Sequence, residues 1–340
     1  MKILYLGEHH GTSGHRAAAL GRLGHQVEIL DPIQLLPWPT LHLRLNNHLP
    51  IDVLDRLLAR KLRHRLPSGC ELAWVNQGTY LGPRCLEAVR RAVPLVVNYA
   101  NDNPFCAAGL RRFRAYRQAL PLYDHVFLPR EENVQEALRL GVPKAYVFMF
   151  TADEVAHRPV PLDDPGLAPW RGHLGFAGTW FPERGPFLCR LLDLGVKIRL
   201  AGDRWERAAE WPRLRQHHLG HGLTGADYVR CLQGSLASLC LLNAANLDLH
   251  TRRTAEIPAV GGVLIAPRTP AHARMFVEGE EALLFDGAEE AARHMALLAA
   301  DPARRAAIAA AGRRRVVEDG RLNEPELRRL LALASGSTQP

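Results

Sequence analysis

The chain has 340 residues, 47% apolar and 23% charged, which excludes a disordered or collagen-like polymer and leaves enough apolar material for a sizeable core. At roughly 100–200 residues per domain, two domains are expected. A formal charge of +8 favours anionic partners such as phosphates, nucleic acid or an acidic lipid surface, and says nothing about fold.

The six cysteines, Cys70, Cys85, Cys106, Cys189, Cys231 and Cys240, form no C-x-x-C pair and read as free thiols. The apolar run after Met1-Lys2 is too short for a signal peptide, and no stretch reaches the ~18 apolar residues of a membrane span. A cytoplasmic setting is expected.

Short apolar runs alternate with helical patterns along the chain. In the first half, strands are predicted at 2–7, 25–30, 71–76, 94–99, 124–128 and 145–149. A helical pattern over His15–Leu23, stopped by Gly24, lies between the first two, so the chain reads strand, glycine loop, helix, strand. Repeated, that grammar predicts a parallel sheet covered on both faces. The loop from Gly7 through Gly11 to Arg16 is not a G-x-G-x-x-G fingerprint. Its adjacent His9 and His10 would point apart on a strand end, which argues against a shared metal.

Over Ile51–Leu66, leucines recur at helical spacing while Arg56, Arg60, Lys61, Arg63 and Arg65 fill the other positions. This is either a core-packing helix with a solvated face or a basic helix for an anionic membrane or an acidic acceptor. Further on, Asn98–Pro104 places Asp102 just past a strand, where a carboxylate can orient a hydroxyl or where the residues simply make a turn. Residues 157–170, with four prolines, are expected to be an interdomain linker.

The same grammar then restarts. Strands are predicted at 173–177, 196–201, 235–242, 260–266 and 282–285, with helices at 183–194, 225–233, 252–259, 287–299 and 303–318. The overall expectation is an α/β chain of two doubly wound Rossmann-like domains facing a cleft, with ligands beyond the carboxyl ends of the strands. Gly178 and Arg184 lie in one strand-to-helix turn, where helix amides and a guanidinium suit a phosphate. Gly202 ends the next strand, and the nearby Trp205 reads as packing. In the window 243–262, Asp248 and Glu256 bracket a predicted helix start at His250–Arg253, an arrangement suited to a nucleotide sugar.

The run from Asp248 to Gly262, read with Pro270–Phe276, Glu278–Glu280 and Leu284–Asp286, resembles the donor-binding half of GT-B glycosyltransferases. Arg253-Thr254-Ala255-Glu256-Ile257-Pro258-Ala259-Val260-Gly261-Gly262 is most similar to the CgeB-type, spore-maturation-like branch. The resemblance implies a metal-independent, retaining hexosyltransferase using a nucleoside-diphosphate sugar, with a UDP-sugar first, and no further cofactor. No D-x-D pair stands near either glycine loop, so helix termini and arginines are expected in place of a cation.

It further implies Glu256 on the ribose, Asp248 on the sugar or phosphates, and donor contacts from Gly11, Arg16, Gly178, Arg184, Gly202, His250, Thr251 and Arg253. Asp102 and Asp248 are the expected catalytic residues, and no metal ligand is expected. The corresponding domains are 1–156 for the acceptor, 157–170 as linker, 171–320 for the nucleotide sugar, and 321–340 as a C-terminal helix and tail. Expected partners are the nucleotide sugar, an unidentified glycan, protein or small-molecule acceptor, and peripheral contact with the anionic inner membrane face. No nucleic acid is expected. A sugar-nucleotide epimerase or hydrolase on the same fold, or a non-catalytic basic binding module, are the alternative readings.

Overall fold

The computed structural model describes residues 1–38 and 51–336. They divide into two compact units: 1–149 with 245–247 and the C-terminal segment from Asn323, and 150–244 with 248–322.

The first unit alternates β1 (Lys2–Leu6), α1 (Gly11–Arg22), β2 (Gln26–Leu30), α2 (Ile51–Arg63), β3 (Leu72–Asn76), α3 (Pro83–Ala92), β4 (Leu95–Tyr99), α4 (Arg114–Ala119), β5 (His125–Leu128), α5 (Glu131–Arg139) and β6 (Lys144–Val147). Its six strands are all parallel, in the order β2-β1-β3-β4-β5-β6. The central strands β3 to β5 are apolar on both faces because helices cover both, as parallel sheets require.

The second unit holds β7 (Leu174–Ala177), α6 (Arg184–Asp193), β8 (Ile198–Ala201), α7 (Trp211–Leu214), α8 (Gly225–Gly234), β9 (Ala237–Leu239), α9 (Arg253–Ala259), β10 (Leu264–Pro267), α10 (Pro270–Met275), β11 (Leu283–Phe285), α11 (Ala288–Ala300) and α12 (Pro302–Glu318). Its parallel order is β11-β10-β9-β7-β8. In each sheet the chain begins on an inner strand, steps outward, and then crosses back, so a topological switch point lies between β1 and β3 and between β7 and β9.

The segment 157–170 is not a free linker. Asp164 caps the amide of Gly166 at 2.7 Å, opening a 3-10 turn over Pro165–Trp170 in which Leu167 and Trp170 are buried. Arg230 of α8 pairs with Asp164 at 3.1 Å. The apolar anchors and the ion pair bind the proline-rich stretch into the second unit, which begins at Phe150.

The final helix α13 (Asn323–Ser335) returns to the first unit. Its buried Glu326 accepts the Met149 amide at 2.8 Å and pairs with Arg329, and Arg22 of α1 pairs with Glu324. Residues 337–340 of the expected tail lie outside the described residues.

In α2 Leu54, Leu58 and Leu62 face inward and are buried with Ala59, while Leu57 stays at the surface. Among them Asp55, only 4% exposed, accepts the Arg84 and Cys85 amides at 2.9 and 3.1 Å. It caps α3 from another helix, because Gly82 offers no side chain for the task and a Cβ there would strike the Asp55 carboxylate. Asp55→Ala leaves two amides and a small cavity unfilled, and is expected to cost about 2 kcal/mol in urea denaturation followed by circular dichroism.

Candidate active site

In the second unit the residues after β7, β8 and β9 converge. Gly202 has φ +145°, and a Cβ there would run into the Gly178 carbonyl. The two strand ends thus approach as closely as only glycine allows. Trp205 is fully buried, edge-on to Phe176 at 6.1 Å, and donates its indole N–H to the Gly178 carbonyl at 2.9 Å. It is packing, with its polar end used to hold that turn. His218 bonds the Gly202 carbonyl at 2.9 Å.

Arg184, the first residue of α6, is 5% exposed instead of lying on the surface. It donates to the carbonyls of Thr179 at 2.6 Å, Leu241 at 3.3 Å and Leu242 at 3.4 Å, joining the loop after β7 to the loop after β9 across the switch point. Its guanidinium lies 4.5 Å from the centre of the Phe181 ring. Its buried Nε–H has no partner.

Arg253, at the start of α9, likewise keeps a buried Nε–H without a partner. Burial first, and then the charge of Arg253, lower the Arg184 guanidinium to about 10. Burial by itself lowers Arg253, but its neighbours Tyr228 and Glu256 raise it overall, so of the two guanidiniums at this carboxyl edge Arg184 is the one short of negative charge.

The turn into α9 is held by a buried chain of hydrogen bonds. Thr251 N–H donates to Thr254 Oγ1 at 3.2 Å, and Thr254 Oγ1 lies 3.0 Å from His272 Nε2. His272 Nδ1 faces the Pro267 carbonyl at 2.8 Å, so Nδ1 carries the proton and Nε2 accepts from Thr254. Burial lowers the His272 pKa, which keeps this neutral tautomer. Cys240 Sγ lies 3.4 Å from Thr251 Oγ1. His250 packs edge-on against Phe150 at 5.3 Å. Asp248 is half-buried and accepts the Asn243 amide at 3.3 Å.

Glu256 is 4% exposed. The Tyr228 hydroxyl of α8 donates to its Oε2 at 2.6 Å, and His157 Nε2 stands 3.7 Å from Oε1. His157 Nδ1 faces the Asp153 amide at 2.7 Å and accepts from it, so Nε2 is the nitrogen that carries a proton toward Glu256. Burial by itself raises a carboxyl pKa, but His157, Arg252 and Arg253 outweigh it and hold Glu256 below the ordinary glutamate range. The Tyr228 hydroxyl is pushed far up by burial and by the Glu256 charge, so it remains a donor. Sequence reasoning passed over both partners. His157 lay in the stretch read as linker, and Tyr228 stands 28 residues from Glu256 with no spacing signal to join them.

The remaining expected residues belong to the first unit. Gly11 has φ +58° and opens α1. Arg16 does not present its charge outward: it is 3% exposed, stacks on Tyr99 at 3.8 Å, and donates to Asn76 and to Asn101, the latter at 3.3 Å. It ties the ends of β3 and β4 together, a structural use that the loop's sequence does not show. His9 and His10 are exposed, with His10 3.8 Å from Glu8. Asp102 is half-buried in an ion pair with Arg112 at 3.1 Å. Next to it Asn103 is buried and turns the loop by accepting the Phe105 amide at 3.0 Å.

A group of Glu278, Glu290 and His294 brings ligand atoms within 4.8 Å of one another. Its chemistry is already committed: Arg268 bonds Glu278 at 2.6 Å and Glu290 at 2.8 Å and also pairs with Asp286, while His294 bonds the Leu284 carbonyl at 2.8 Å.

Residues 184–329 match a family model described as glycosyl transferase-like. A search of curated proteins returned no match. Among solved structures, the chain is similar to Anabaena HepE in complex with UDP, at 16% identity and TM-score 0.62, covering 98% of this chain and 100% of that one. It is similar to sucrose-phosphate synthase from Thermosynechococcus elongatus, at 13% identity and TM-score 0.63, covering 99% and 100%. A trehalose-6-phosphate synthase, from work on enzymatic glycosyltransfer with retention, matches at 14% identity and TM-score 0.62 over 98% and 99%. The chain shares the fold of these proteins, two parallel α/β sheets as expected for GT-B architecture, and the match to the glycosyl transferase-like model lies within residues 184–329.

Because the folded pKa of Glu256 is depressed, its contribution to stability is complete above the ordinary value of 4.5 and is lost as pH falls through the lower folded value. Glu256→Gln is expected to remove that part of the acid limb in a thermal-unfolding series from pH 7 to pH 3, with little change in its slope elsewhere.

Proposed function

We propose that this chain is a glycosyltransferase that moves a sugar from a nucleoside-diphosphate sugar, a UDP-sugar first, to an acceptor hydroxyl. The observation that carries the reading is the pair of partly desolvated cations, Arg184 and Arg253, each with a buried donor unused. A diphosphate supplies the missing charge and the missing acceptors at once. HepE, which shares the fold, is bound to UDP in one structure and to UDP-glucose in another, which supports this choice of donor.

Glu256, kept ionised and oriented by Tyr228 and His157, is assigned to the ribose hydroxyls as an acceptor-only group. Gly178 and Gly202, whose close approach only glycine permits, fix the strand ends against which the donor is assigned to sit. Asp248 is assigned to the donor sugar or its phosphates, with Thr251 and His250 lining the same turn. In the first unit Asp102, steadied by Arg112, is assigned to orient the acceptor.

Transfer breaks the bond between the anomeric carbon and the β-phosphate oxygen and forms one to the acceptor oxygen, whose proton is carried off by the released diphosphate. The growing negative charge falls on Arg184, already held by three backbone carbonyls, and on Arg253. Transfer with retention, the subject of the trehalose-6-phosphate synthase work, is the stereochemical course assigned here.

A thermal-shift panel of nucleoside diphosphates and their sugars tests the reading. One member at 100 times its Kd adds about 2.7 kcal/mol of stability. Arg253→Ala and Glu256→Ala are expected to abolish that shift. No response across the panel sinks the assignment. A response accompanied only by hydrolysis or epimerisation of the sugar nucleotide moves the reaction to those classes.

A further inference from the structure

Helix α2 carries charge that the donor site does not use. At about 100° per residue, the residues that are not buried, Val53, Arg56, Leu57, Arg60, Lys61, Arg63 and His64, fall on one outward arc of about 160°. From Val53 to Arg65 every outward position is basic or aliphatic; the one carboxylate, Asp55, points inward to cap α3. Among the described residues the side chains of Arg56, Arg60, Arg63 and Arg65 make no ion pair or hydrogen bond. A solvated helix ordinarily intersperses acids among its bases, both for i,i+4 pairing and for solubility.

The two aliphatic members matter as much as the charges. Val53 is 59% exposed and Leu57 36% exposed, one turn apart and flanked by Arg56 and Arg60. The face continues past the helix end into a cavity of about 390 Å³ between α2 and α3, where Arg63 and Arg91 stand over Leu66, Ala88 and Ala92. Cations around aliphatic side chains, on a helix whose opposite side is anchored in the core, match a surface with phosphates outside and hydrocarbon beneath. A polyanion such as nucleic acid satisfies the arginines but gives Val53 and Leu57 nothing to bury.

We infer that the outward face of α2 docks on an anionic lipid surface. This rests on residues remote from the donor assignment and stands or falls without it. No helix among the described residues is long and apolar enough to cross a membrane, so docking of this kind is peripheral.

The test is co-sedimentation of the full chain with phosphatidylcholine vesicles containing about a third phosphatidylglycerol, and with pure phosphatidylcholine, at low and at physiological salt. Binding is expected only to the anionic vesicles. At about 1 kcal/mol per basic residue near the surface, or about fivefold in affinity, the triple change Arg56→Ala, Arg60→Ala, Arg63→Ala is expected to weaken it about a hundredfold. The pair Val53→Ser and Leu57→Ser keeps every charge and is expected to lower vesicle binding at least severalfold while leaving binding to heparin unchanged. All five positions are on the outward face, and an unchanged unfolding midpoint shows that the variants fold. Absence of lipid-dependent binding overturns the inference, and so does vesicle binding indifferent to the serine pair, which marks a generic polyanion surface.

Discussion

A buried arginine spans the switch point of each sheet. In the first unit Arg16, on the helix after β1, bonds Asn76 after β3 and Asn101 after β4. In the second, Arg184, on the helix after β7, bonds the carbonyls of Leu241 and Leu242 after β9. At these points adjacent loops diverge and leave a crevice, and a long side chain with five donors can tie both walls together. The two arginines differ in what remains unused. Arg16 comes from the second turn of its helix, reaches two side-chain amides, and is covered by Tyr99. Arg184 is the first residue of its helix, bonds only backbone carbonyls, and faces a second cation. The same device that closes one crevice leaves the other electrically unsatisfied.

Around Arg184 the second unit is built in layers of decreasing freedom. The close pass of Gly178 and Gly202 sets the floor, with Trp205 locking it from below. The Thr251–Thr254–His272–Pro267 chain fixes where α9 begins, and therefore where Arg253 and Glu256 point. Glu256 is then held from a third direction by Tyr228 and His157. Among the described residues the buried side-chain atoms of these loops without a partner include both Nε–H groups and the Trp180 indole N–H, so the unmet groups there are donors. Burying a guanidinium is costly without compensation. The burial of Arg184 beside another cation is the observation on which the proposed donor site rests.

How far the sequence disclosed this depends on the range of the interactions. The βα grammar was legible because it rests on local periodicity and on glycines that follow strands, and the observed elements lie close to the predicted ones, with β9 shortened to Ala237–Leu239. Glu256 and Arg253 were legible because they stand in one contiguous motif on one short helix. Arg184 and Arg16 were recognised as residues of interest, but their burial was not legible. It depends on carbonyls and amides some 57 and 60 residues away. The proline-rich stretch misled for a related reason. Proline content says that no regular helix or strand persists, but the fate of a segment is decided by its apolar anchors, and Leu167 and Trp170 find a pocket beside α8. His157 became part of the site only through that docking.

The distribution of charge follows the same logic of commitment. Many of the basic residues are absorbed locally: Arg268 by three carboxylates, Arg230 by Asp164 and Asp227, Arg315 by Glu281 and Asp319. Such pairs at the surface contribute little to stability and leave no field behind. Two groups within the remainder differ in kind. One is Arg184 with Arg253, partly desolvated, which the proposed function sets against a small anion at short range. The other is the exposed outward arc of α2, which the inference above sets against an extended surface through many weak contacts. A single figure of +8 for the chain conceals that these are different physical uses of the same residue type: the first depends on low dielectric and fixed geometry and is nearly indifferent to salt, and the second is long-ranged, additive and screened within about a Debye length.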